Sequence, residues 1–164
     1  MSATKAGRAI AVSLAALATI GAAPAEPISM SIRAWGQQLA EWQIQPDGAV
    51  VSTVMDPATP GASSTYKLVT RRLPATRGRF ATIANLLKPA RPWAGKSLPC
   101  KTPMTDADSG VVHWNKAVSL SFYSGCTESE TRAVLTPLYA ANAQINLWTK
   151  DAPIAETRTV GPGQ

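Results

Sequence analysis

Histidine is nearly absent from this 164-residue chain, and cysteine is almost as scarce. The one imidazole, His113, cannot supply the tetrahedral ligand set of a zinc site, and Cys100 and Cys126 show none of the Cys-x-x-Cys spacing of metal or redox motifs. No metal and no cofactor is therefore expected. Aromatic side chains make up 6% of the chain, and the most basic stretch lacks the aromatic ladder on which single-stranded bases stack, which disfavours nucleic acid as a partner. Long apolar runs are missing too. The longest, Ala9 to Ile20, would rise about 18 Å as a helix, against about 30 Å of hydrocarbon in a bilayer.

That short run has a specific setting. Lys5 and Arg8 precede it, and Ala23-Pro24-Ala25 follows with the small side chains that a leader peptidase admits. Residues 1–25 read as a secretory signal peptide, which places the mature chain in the periplasm or outside the cell with no transmembrane anchor. No cysteine follows the cleavage region to carry a lipid. Cys100 and Cys126 are then an even pair in an oxidising compartment, where a disulfide bond is expected.

The mature chain reads as a single α+β domain over 26–150, with 151–164 as an extended or loose tail. Residues 26–34 read as a lead-in. A hairpin follows: WGQQLAEWQIQ ends in alternation, Pro46-Asp47-Gly48 turns the chain, and Ala49 to Met55 is rich in β-branched residues. Thr65 to Leu73 alternates again. Phe80, Ile83, Ala84 and Leu87 then fall at helical spacing, and Lys88-Pro89 stops the helix. Gly110 to Trp114 and Val118 to Tyr123 read as strands. Thr127-Glu128-Ser129-Glu130 has the form of a capping box, and Val134, Leu138, Ala141, Ile145 and Trp148 line a second helix that Pro137 interrupts or restarts. The expected fold is a small antiparallel sheet of four to five strands, covered on one face by two helices and tied by one disulfide.

Charge is distributed unevenly. No acid occurs between Asp56 and Asp106, yet Lys67, Arg71, Arg72, Arg77, Arg79, Lys88, Arg91, Lys96 and Lys101 all lie there. Such a local excess concentrates anions, and arginine pairs bidentately with carboxylate or phosphate. The expected site is an anion- or partner-binding surface of Arg71, Arg72, Arg77, Arg79, Arg91, Trp93 and Lys96. Its partner would be an acidic protein surface or an anionic envelope lipid or polysaccharide. Trp93 would serve it as an exposed hot spot, or else pin its loop to the core.

The leading reading is thus an exported, non-enzymatic binding or accessory protein. Two alternatives use the same residues differently. An orphan hydrolase would need His113 beside Asp106 or Asp108 and a serine such as Ser109, and a protease inhibitor would present a loop near 71–79.

Overall fold

A computed structural model describes residues 25–58 and 65–161; the leader expected at 1–25 lies outside them except for Ala25. The elements in chain order are β1 (Ile28–Ala34), β2 (Gln37–Ile44), β3 (Val50–Met55), β4 (Tyr66–Leu73), α1 (Arg79–Leu87), a 3-10 segment (Lys88–Trp93), β5 (Ser109–His113), β6 (Ser119–Tyr123), α2 (Ser129–Thr149) and β7 (Ile154–Val160). The strands form one sheet in the order β6-β5-β1-β2-β3-β4-β7, each pair antiparallel.

The α+β class, two α-helices and the disulfide agree with the sequence reading, but the sheet has 7 strands rather than four to five. The two additional strands are β1 and β7. Ile28, Met30, Ile32 and Ala34 alternate with Ser29, Ser31 and Arg33, so β1 buries one complete face, and it pairs with β2 on one side and β5 on the other. It belongs to the centre of the sheet, not to a lead-in. β7 is exposed on both faces except at Val160, so no hydrophobic alternation marks it. Backbone pairing with β4 makes it a strand.

The helices of the described residues cover one face of the sheet. The chain crosses that face twice, from β4 to β5 through α1 and the 3-10 segment, and from β6 to β7 through α2. Met30, Trp42, Ile44, Val50, Val112 and Leu120 point up from the sheet, while Ile83 and Leu87 of α1 and Leu138, Ala141 and Ile145 of α2 point down onto them. Burying a side chain of this kind stabilises the fold by about 1.5–3 kcal/mol.

Two local expectations fail at α2. Thr127 does not cap the helix: Glu128 occupies the cap position with no side-chain capping bond, and its carboxylate accepts the Lys101 amide across the disulfide loop instead. Pro137 lies inside a helix that runs unbroken from Ser129 to Thr149. The proline removes one amide donor and crowds the preceding turn, and burial of Val134, Leu135, Leu138 and Ala141 around it outweighs that cost.

Candidate functional site

Among the described residues the other face of the sheet carries no helix, and register fixes what stands on it. One row across it runs Ser119, His113, Ser29, Gln43, Val51 and Arg72; the next runs Ser121, Val111, Ser31, Glu41, Thr53, Thr70 and Glu156. Most of these side chains are polar, as expected for the solvated face of an antiparallel sheet. Arg33 of β1 and Arg158 of β7 stand on the same face, farther toward the β1–β2 turn. Among the described residues the one ion pair joins Lys150 to Asp151 at 3.9 Å. Arg33, Arg72 and Arg158 therefore have no carboxylate partner there.

The basic run of the sequence does not converge on this face. Strand alternation sends Arg71 toward the helices and Arg72 to the outer face. Arg71 Nε is buried without a hydrogen-bond partner. Arg77 lies exposed in the turn before α1. Arg79 donates from Nη1 to the Pro74 carbonyl at 2.9 Å, and its guanidinium stands 5.8 Å from the Trp148 ring centre. Arg91 lies 5.0 Å over Trp114, both distances typical of cation–π contact. Trp93 is half-buried against the core. Lys96 borders a cavity of about 650 Å³ at the β6 edge, which Ser119 and Ser121 of the outer face line together with Tyr123 and the Cys100–Cys126 disulfide.

His113 sits near one end of the outer face, half-buried, in a shallow depression with Glu26, Ser29, Gln43 and Lys116. Asp108 precedes β5 and His113 ends it, which separates them by about 16 Å of extended chain. The Asp106 carboxylate has another task, and the Asp108 backbone is fixed away from the histidine. Asp106 accepts the Trp35 indole N–H at 3.1 Å, and the Asp108 backbone bonds with Ser124 through both its amide and its carbonyl. Glu26 does reach the histidine's depression, but its Oε2 accepts the Lys116 amide at 3.3 Å. No hydrogen bond joins His113, Ser29 and Glu26 into a relay among the described residues. The stretch 71–79 is likewise a poor bait loop. Arg71 to Leu73 belong to β4, and the Thr76 backbone is packed against Gly48.

The two cysteine sulfurs and the Glu128 carboxylate lie within 4.8 Å of one another. The sulfurs are bonded to each other at 2.09 Å, so they offer no thiolates as metal ligands. The carboxylate's role is structural. Amide donors, Lys101 first, hold the Glu128 carboxyl below the ordinary glutamate range. A lowered folded-state value means that the contribution is complete above the ordinary range and is lost as pH falls through the lower one. Glu128→Gln should therefore lower the urea midpoint at pH 7, and the gap between variant and parent should narrow toward pH 3. A gap that stays constant between those pH values would show that the carboxylate's charge is irrelevant.

The candidate residues that the sequence reading does not include are Arg33, Gln38, Tyr66 and Arg158. Together they line a cavity at the hairpin end of the outer face. The signal for Arg33 was present in the alternation of ISMSIRA. For Arg158 there was none, because β7 has no buried face until Val160.

Comparison of the chain with protein-family models, with curated proteins and with solved structures finds no significant match.

Proposed function

We propose that this protein is an exported, non-enzymatic binding module whose helix-free sheet face engages an anionic component of the cell envelope. One observation carries the reading: Arg33, Arg72 and Arg158 stand on that face with no ion-pair partner among the described residues. Glu41 and Glu156 share the face and offset part of this charge; the remaining positive excess, unpaired at contact distance, draws anions with a strength that falls as salt screens the field. The leader-like residues 1–25 support export, and the disulfide suits an oxidising compartment. Among the described residues, no helix is long and apolar enough to cross a membrane.

The test is co-sedimentation of the disulfide-bonded protein with extracted envelope material over a salt series. Arg33→Gln, Arg72→Gln and Arg158→Gln in one chain should abolish salt-sensitive binding. Arg77→Gln with Lys88→Gln, two exposed cations away from the outer face, should leave most of it. Equal losses in both variants would reduce the effect to net charge and overturn the reading.

A further inference from the structure

At the β1–β2 hairpin, a register shift between Ile32 and Arg33 pairs Ile32 with Ala40 but Arg33 with Gln38. Leu39 is the extra residue, and such a bulge re-aims the side chains beyond it. Its effect here is to turn Gln38 to the outer face beside Arg33. The two then line a cavity of about 220 Å³ with Tyr66, Leu68, Arg158 and Val160.

Each polar side chain of this cavity has a hydrogen-bond donor to offer. Gln38 is only 9% exposed, yet its Nε2 has no hydrogen-bond partner. An amide left so deeply buried and unpaired is destabilising, and a ligand acceptor would recover that loss. The Tyr66 hydroxyl accepts the Gln38 backbone amide at 3.1 Å, which leaves its own proton available to donate. Arg33 and Arg158 add two guanidinium forks. No acid among the described residues lines the cavity, and Glu156, two residues from Arg158 on β7, pairs with Thr70 and makes no ion pair with Arg158. Leu68 and Val160, both buried, give the cavity an apolar wall.

We infer that this cavity is a binding site for a phosphate monoester group. Two guanidinium charges match a group that carries about −1.5 to −2 at neutral pH. The Gln38 amide and the Tyr66 hydroxyl add neutral donors, and a phosphate has three terminal oxygens to receive them. At about 30 Å³ of liquid volume per water, the space holds a phosphate and the first atoms attached to it, not a polymer segment. The monoester could belong to a soluble metabolite or to a lipid headgroup. Trp35, 71% exposed at the hairpin tip two residues from Arg33, is the side chain that would distinguish these sources, since an indole settles readily at headgroup depth. The inference rests on the proposed anion-binding face and specifies its ligand.

Isothermal titration of the disulfide-bonded protein with inorganic phosphate tests it first. Saturable binding is expected, weakened at least tenfold by Arg33→Gln and by Arg158→Gln, since a hydrogen bond to a charged group contributes more than one decade of affinity. Gln38→Leu should weaken it as well. The two arginine changes lie at exposed positions, so the test does not depend on the buried variant folding. A second arm uses vesicles of phosphatidylcholine with phosphatidic acid, a monoester, or with phosphatidylglycerol, a diester. Preference for phosphatidic acid, reduced by Trp35→Ala while phosphate binding is unchanged, assigns the monoester to a lipid; phosphate binding without vesicle binding assigns it to a soluble ligand. Both outcomes support the site. Absence of phosphate binding, or binding that survives both arginine changes, overturns it. Envelope binding that depends on Arg72 alone would then leave the broader proposal standing, whereas phosphate binding without any envelope binding would do the reverse.

Discussion

Replacing Cys100 and Cys126 together by alanine is expected to lower the unfolding free energy by about 3 kcal/mol. The bond joins residues 26 apart in sequence and so removes much of the freedom of that loop in the unfolded chain. The folded chain should change little. Thr131, buried at the start of α2, donates its hydroxyl to the Pro99 carbonyl, and Glu128 accepts the Lys101 amide; both hold the same loop without the sulfurs. The loss should therefore appear as a lower urea midpoint with unaltered near-UV circular dichroism under native conditions. Against a total stability typical of small domains, about 5–15 kcal/mol, it is a large fraction. Reduction by dithiothreitol should reproduce the shift in the parent and do nothing to the double variant. An unmoved midpoint on reduction would show that the loop is already ordered in the unfolded state.

Gly48→Ala should be about as damaging, for a different reason. Gly48 closes the β2–β3 turn with φ +87°, donating its amide to the Gln45 carbonyl at 2.8 Å, and L side chains in left-handed backbone cost about 1–2 kcal/mol. A Cβ there would also meet the Thr76 carbonyl oxygen at 2.0 Å. That oxygen is backbone and cannot rotate away, so the turn leading into α1 must move, at a further overpacking cost of about 1–3 kcal/mol. Gly78 supplies the control. Its φ is +93°, but a Cβ there meets nothing within 4 Å. Gly78→Ala should lose the conformational part alone, and the difference between the two urea midpoints measures the clash. Equal losses would mean that the β2–β3 turn does not brace the turn before α1.

Most of the covered face was readable from periodicity, because burial on one side of a strand or helix imposes the pattern that a sequence displays. Ile83 and Leu87, or Leu138, Ala141 and Ile145, could hardly be placed elsewhere. The reading failed where burial stops instructing the sequence. β7 forms through backbone pairing with β4 and needs no apolar side chains, so IAETRTV resembled a tail. β1 is legible in its alternation, but its nearness to the expected leader suggests a lead-in. The spatial grouping of the charged residues is set by geometry that the sequence does not display. Arg71 and Arg72 are adjacent in sequence and opposite in space, whereas Arg33 and Arg158 are remote in sequence and share one cavity. Counting charge along the chain detects the excess; only strand order and register show which charges share a surface. Glu128 illustrates the same limit, since its Lys101 partner lies across a loop that local capping rules do not consider.

The strand order also bears on how the sheet is assembled. β1 to β4 are neighbours in chain order, so turns between successive strands can zip that half from local contacts. β5 must find β1 across most of the domain, and β7 must return to β4 after both helical crossings. Pairings of such sequence separation incur loop-closure entropy before they return any stability. Refolding should accordingly pass its barrier when the β5–β6 hairpin docks on β1, and mutations at Val112 or Met30 should slow folding more than mutations at the β7 edge, which should chiefly hasten unfolding.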